Sequence, residues 1–281
     1  MRTVLSLDKQ QRYRDQGILF PLRVLSATEA AHYRNKCDEL ESRLGGRPRT
    51  IEVRQMHLHF GWAYRLATLP SVLDAVADLL GPNLLVTATE LFSKHPQETA
   101  VSIGWHRDGP YMGLDPERTL TAWIALTDCT RENGCMRFVP EADRRAKAGW
   151  QTGASAKHGA SAEHGAVENR RPAAAEEQFG DVLLAAGEMS LHDVHVLHGS
   201  GPNCSPHKRV GFAIRFTTPE GRPMHGHPPA IMARGEDRCG HFELAQPPAD
   251  DDDPSALDRM RLSARRHLDA TLQNLKQPAR S

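Results

Sequence analysis

MSLHDVHVLHGSGPNCSPHKRVGFAIRF, residues 189–216, holds two apolar runs separated by Gly-Pro-Asn and Ser-Pro signals. Short runs rich in Val, Ile and Phe and bounded by turn residues read as strands, here Met189 to Leu197 and Val210 to Phe216. In the second run Val210, Phe212, Ile214 and Phe216 make one face, and Arg209, Gly211 and Ala213 make the other. That is the period of two of a half-buried strand. Working outward, Leu84 to Phe92, Thr119 to Leu126 and Val182 to Ala185 read the same way, as does the short Ile18-Leu19-Phe20. Toward the N-terminus the period turns helical. Asp8 to Gln16 ends at Gly17, and Ser26 with Glu29 forms a capping box that opens a helix to about Leu44. A further helix follows Pro70, with Leu73, Val76, Ala77 and Leu80 as its apolar stripe and Gly81 as its stop. Helices first and many strands after them predict an α+β chain, mainly β with flanking helices, around a β-sandwich or barrel core.

The chain has 281 residues, enough for one large domain, read here as residues 1–246. Residues 151–178 are small, polar and near-repetitive, and read either as an inserted lid or as a spacer. Residues 247–281 read as an acidic linker and a C-terminal helix lined by Leu257, Met260, Leu262, Leu268, Leu272 and Leu275. That helix either docks on the core or joins two copies, so monomer and homodimer both stay open. Lys+Arg and Asp+Glu are 35 each, a zero balance with no electrostatic footprint for nucleic acid or an anionic membrane. No run approaches the roughly 18 apolar residues of a membrane span. The charged start lacks the apolar core of a leader, and five scattered cysteines without a CxxC pair argue against a disulfide framework. The expected setting is cytoplasmic.

Three stretches carry chemistry. In Gly104-Trp105-His106-Arg107-Asp108, His106 and Asp108 are two apart, so an extended backbone points both the same way. An imidazole and a carboxylate on one face can chelate a metal, although a surface Asp beside a packed His gives the same spelling. The run ending at His198 adds a third ligand, and two His with one carboxylate make the facial triad of non-heme Fe(II) oxygenases. His192 shares the strand face of His198, while His195 lies opposite; ordinary packing or a hydrogen bond to the site suits both. Arg209 stands beside the small Gly211 and Ala213. A buried arginine requires a partner, and a ligand carboxylate suits its planar fork, as would an acidic side chain. Arg215, on the same face, suits that structural pairing. Together these features describe an iron ion beside a bound dicarboxylate, the layout of 2-oxoglutarate-dependent oxygenases.

WHRDG, TAWIALTDCTRENGCMRFVP, GEMSLHDVHVLHGSGPN and RVGFAIRF resemble the phytanoyl-CoA dioxygenase family of Fe(II)/2-oxoglutarate enzymes, in register from about residue 8 to 244. The resemblance implies a double-stranded β-helix, or jelly-roll, with helices packed on one side. It implies His106, Asp108 and His198 as iron ligands and Arg209 as the partner of the distal 2-oxoglutarate carboxylate. Ser200 assists that carboxylate, Thr121 and Trp123 line the cosubstrate pocket, and Lys94 touches cosubstrate or substrate. Fe(II), 2-oxoglutarate and O2 follow as cofactor and cosubstrates, with a small molecule hydroxylated and succinate and CO2 released. Two departures stand out: Arg107 replaces a common Gln, and Pro140, Glu141, Ala142 and Asp143 replace a Pro-Gly-Ser-His loop. The retained Asp108 favours hydroxylation over halogenation.

Substrate contacts are open. His57 and His59, Tyr111 and Arg107, and a basic group of Arg144, Arg145 and Lys147 are candidates, while His225 and His227 read as loop residues. The rival readings are a non-catalytic β-sandwich that binds a carboxylate, an iron oxygenase of this fold without 2-oxoglutarate, and a nucleic-acid oxygenase, which the neutral charge disfavours.

Overall fold

A computed structural model describes residues 3–140, 179–248 and 253–276. The helical N-terminal part is α1 (Leu7–Gln16), α2 (Ala27–Arg43), α3 (Gly61–Ala67) and α4 (Pro70–Leu80), with β1 (Ile18–Arg23) between the first two. The Ser26–Glu29 capping box is present in both directions. Gly17 closes α1 in the left-handed conformation, where its amide donates to the Tyr13 carbonyl. The helix starts and stops read from the sequence therefore fall within a residue or two of the observed ends.

Strands follow: β2 (Leu84–Lys94), β3 (Ile103–His106), then the single turn α5 (Gly109–Met112), β4 (Thr119–Ala125), β5 (Met136–Phe138), β6 (Gly180–Val182), β7 (Glu188–Asp193), β8 (His198–Ser200), β9 (Arg209–Thr217), β10 (Pro229–Arg234) and β11 (Glu243–Leu244). They form a seven-stranded sheet of order β1-β7-β4-β9-β2-β10-β11 and a four-stranded sheet of order β3-β8-β5-β6. All pairings are antiparallel except β10 with β11. Ile18, Trp123 and Ala213 of the large sheet share a buried cluster with Met136, Phe138 and Val182 of the small one, so the two sheets face each other. This is the β-sandwich core with flanking helices that the pattern predicted, and the jelly-roll that the family resemblance implied.

Alternation on β9 sorts the two sides. Val210, Phe212, Ile214 and Phe216 are fully buried in the cluster that joins the helices to the sheet. Phe212 meets Trp62 of α3 at a centroid distance of 6.1 Å. Each such side chain contributes about 1.5–3 kcal/mol by leaving water. The opposite face of β9, beginning with Arg209, looks into the space between the sheets.

Two expectations need correction. Met189 to Leu197 is not one strand: β7 ends at Asp193, whose carboxylate accepts the His195 amide at 2.7 Å and turns the chain. His192 and His198 therefore belong to different sheets, although their rings still meet at 4.9 Å. The predicted strand from Val182 to Ala185 is shifted, with β6 at Gly180–Val182 and only a bridge from Leu184 to Cys129 beyond it.

The C-terminal helix α6 (Ala256–Lys276) docks on the domain. Its contact stripe is mixed. Ala256, Met260, Ala264 and Thr271 are buried, whereas Leu262 and Leu272 are exposed. Ser263, His267 and Asn274 reach His59, Gln55 and the Tyr111 carbonyl. The segment 151–178, and Arg144, Arg145 and Lys147, lie outside the described residues.

Candidate active site

β3 and β8 are antiparallel neighbours, with His106 directly opposite His198. The pairing sets the two imidazoles side by side at a centroid distance of 4.3 Å. Asp108 follows β3 by two residues, at the cap of α5. His106 Nδ1 lies 2.8 Å from the Gly104 carbonyl, and His198 Nδ1 lies 2.9 Å from the Val196 carbonyl. A carbonyl only accepts, so each Nδ1 carries the proton and each Nε2 presents a lone pair. Burial lowers the pKa of both rings, which keeps them neutral at neutral pH.

The two oxygens of Asp108 have different work. Oδ2 accepts from Thr121 Oγ1 at 2.9 Å, His192 Nε2 at 3.2 Å and an Arg215 terminal nitrogen at 2.5 Å. Oδ1 faces His106 Nε2 at 3.7 Å and His198 Nε2 at 4.0 Å. Burial raises the carboxyl's pKa, but Arg215 and the hydrogen bond from His192 outweigh it and hold Asp108 well below the usual range. Arg215 in turn binds Glu90 at 3.0 Å, and Glu90 pairs with Arg54 at 2.8 Å.

Across the same inner face, Arg209 is 2% exposed, and its Nε and one terminal nitrogen have no hydrogen-bond partner. Its guanidinium lies over the Trp123 ring at 5.2 Å. Lys94 stands directly opposite Arg209 in the β2–β9 ladder. Its ammonium donates to Ser200 Oγ at 2.6 Å and also to the Gly201 carbonyl. Burial, then the neighbouring Arg209, push Lys94 down to about 6. Burial lowers the pKa of Arg209 too. Two buried basic groups thus lie side by side with no acidic side chain in contact among the described residues. Such an arrangement is costly unless an anion fills it.

The candidates fall into two groups. Arg209, Lys94, Ser200 and Trp123 line the anion pocket, while His106, Asp108 and His198 make the metal-type cluster. Thr121, expected beside the cosubstrate, donates to Asp108. His192 also serves Asp108, and Arg107 donates to the His195 carbonyl. Tyr111 packs edge-on against His106 at 5.9 Å. His57 bonds Thr89 and His59 bonds Ser263, both within packed surroundings, while His225 and His227 lie in a loop. The sequence reading did not connect Arg215 with Asp108 and overlooked Glu90 and Arg54. A charged Glu within the apolar run LLVTATELF (84–92) was the signal for a buried partner.

The donor set suits a metal ion. The ligand atoms of His106, Asp108 and His198 all lie within 4.8 Å of one another, and they are the one such group among the described residues. Both lone-pair nitrogens and a carboxylate oxygen that accepts no hydrogen bond point together, with the far atoms anchored. Two His and one carboxylate suit octahedral iron(II) with positions left open.

Comparison with known proteins agrees with this geometry. The family model for phytanoyl-CoA dioxygenase (PhyH) matches residues 13–211. A probable alpha-ketoglutarate-dependent hypophosphite dioxygenase of Stutzerimonas stutzeri is 26% identical over 181 residues, 62% of this chain and 59% of that protein. Human peroxisomal phytanoyl-CoA dioxygenase is 24% identical over 163 residues, 55% of this chain and 46% of that protein. The chain spans about half the length of the curated relatives it matches. The nickel complex of the non-heme monooxygenase ThoJ superimposes with a TM-score of 0.75 at 33% identity, covering 95% of this chain and all of that one.

Proposed function

The chain belongs to the phytanoyl-CoA dioxygenase family, and from that premise we propose that it is an Fe(II)/2-oxoglutarate-dependent hydroxylase. Its substrate is a small metabolite, or an acyl or carrier-bound group, oxidised at a C–H bond with release of succinate and CO2. One observation carries the reading. A cluster of three metal-type ligands shares the inter-sheet space with Arg209, a buried guanidinium that has no anionic partner among the described residues.

In this reading His106, Asp108 and His198 hold iron(II). When bound, the metal supplies activation of dioxygen coupled to decarboxylation of 2-oxoglutarate. The chain supplies the rest. The Gly104 and Val196 carbonyls fix the ring tautomers, so both Nε2 atoms are ready without a proton to lose. Arg209 grips the distal carboxylate of the cosubstrate bidentately, and Ser200, held by Lys94, donates its hydroxyl proton to the same group. Trp123 covers the guanidinium and keeps water from it. Exclusion of water strengthens these contacts and protects the reaction from side paths.

The test is an anaerobic titration of the apoprotein with Fe(II) and then 2-oxoglutarate, following the weak visible charge-transfer band. The wild type develops the band, His106→Ala loses it, and Arg209→Lys needs far more 2-oxoglutarate. Metal binding without any band would favour an iron enzyme of this fold that does not use 2-oxoglutarate. Absence of metal binding would leave a carboxylate-binding module.

A further inference from the structure

Asp108 matters for how many of its oxygens it offers as well as for its charge. Octahedral iron has six positions. On the reading above, three go to the protein, two to the 2-oxoacid and one to dioxygen. A carboxylate that ligated through both oxygens would take a fourth and leave too few. In the structure the second oxygen, Oδ2, is already engaged by Thr121, His192 and Arg215.

Of these three donors, Arg215 alone is held by a second carboxylate, and it also donates to the Thr121 hydroxyl. One terminal nitrogen holds Asp108 and the other holds Glu90 Oε2 at 3.0 Å. Glu90 is fixed by Arg54 at 2.8 Å from the other side. β2 and β9 are paired here, with Glu90 opposite Ala213 and Ala88 opposite Arg215, so the clamp is built on adjacent strands. The side chains of Arg215, Glu90 and Asp108 are 12%, 7% and 4% exposed. The charges alternate along Arg54, Glu90, Arg215 and Asp108, which holds the guanidinium from two directions.

We propose that Arg215, clamped by Glu90, is a positioning residue that restricts Asp108 to a single ligating oxygen and so keeps the cosubstrate's positions open. This rests on the iron and 2-oxoglutarate reading. It goes further by assigning a role in coordination number to two residues that touch neither metal nor cosubstrate.

The experiment uses Co(II) as the metal probe and measures two affinities on full-length protein: Co(II) for the apoprotein, and 2-oxoglutarate for the Co(II)-loaded form. In Arg215→Met, Co(II) binding stays within a few-fold of wild type while 2-oxoglutarate binding weakens about 10-fold or more, because the freed Oδ2 competes for a position the cosubstrate needs. Arg215→Lys, which keeps one donor for Oδ2, recovers part of the loss. Glu90→Gln separates positioning from field strength. Removing a negative charge alone would tighten binding of the 2-oxoglutarate dianion, whereas loosening the clamp weakens it. Weaker binding in Glu90→Gln supports the proposal. Unchanged or tighter binding there, or parallel loss of both affinities in Arg215→Met, overturns it. If Arg215→Met fails to fold, the Lys and Gln variants decide the matter alone. A wild type that binds neither Co(II) nor 2-oxoglutarate would sink the functional reading itself, and that result is seen before any variant is made.

Discussion

Gly211 shows how much a single missing side chain does. A Cβ there would sit 1.8 Å from Cζ2 of Trp123, an indole buried in the inter-sheet cluster. The absent methyl lets the ring lie against β9 and over Arg209. Gly211→Ala is therefore expected to cost about 1–3 kcal/mol by overpacking, read from the urea midpoint, and to weaken 2-oxoglutarate binding as the indole leaves the guanidinium. Lys94 gives a pH signature. Its pKa is down at about 6 in the folded protein, and an anion bound beside it would raise that value. Above pH 6 binding then takes up a proton, so 2-oxoglutarate affinity is highest at the acid end and falls as pH rises, by at most tenfold per unit. Isothermal titration across pH 6–8 should show this slope in the wild type and a flatter one in Lys94→Met. At this scale the sequence was informative wherever side chains alternate. Arg209 beside two small residues was readable from β9 alone. The Arg215–Asp108 contact was not, because it joins residues 107 apart in the chain.

Among the elements, α6 combines an apolar anchor with histidine-based docking. Met260 is fully buried, and Met260→Ala should cost about 2–5 kcal/mol, checked by chemical denaturation. His267 bonds Gln55 and His59 bonds Ser263, and burial lowers both rings to about 4. A folded pKa below the free value of about 6.5 means that the neutral form is the one bound. Their contribution is complete above pH 6.5 and is lost as pH falls toward 4. Hydrogen exchange over residues 256–275 should accelerate in that window before the sheets open; protection that persists to pH 4 would refute the docking role. The sequence predicted this helix but placed Leu262 and Leu272 in its stripe, and both are exposed. The docked stripe mixes Ala, Met, Ser, His, Thr and Asn with the half-buried Leu257, Leu268 and Leu275, so the period found the helix and only the partner surface sorts its leucines. The short strands β5, β10 and β11 escaped for a related reason: two to six residues hold too few alternations to stand out.

For the molecule as a whole, ligand binding should be legible in stability. A metal that binds the folded chain and not the unfolded one adds about 2.7 kcal/mol at 100 times its Kd. Fe(II) or Co(II) should raise the Tm, a chelator should reverse the rise, and His106→Ala should abolish it; a Tm indifferent to metal would count against the cluster as a binding site. The helix-then-strand order along the chain foretold a β-sandwich or barrel with helices beside it, because alternation and caps are local, and the placing of the helices on one side came from the family resemblance. Strand order was not foretold, since hydrogen-bonded neighbours are chosen across the whole sequence. That order has a consequence for how the chain is made. β1 is held by β7, and β2 lies between β9 and β10, so strands made early pair with strands made much later. β1, β7 and β4 can pair once residue 193 has emerged, whereas β2 waits for β9, and His106 faces an empty place until His198 has been translated. The helices can therefore form well before the sheets are complete, such long-range pairing makes folding slow, and capture of a metal by all three ligands becomes possible only once β8 has joined β3.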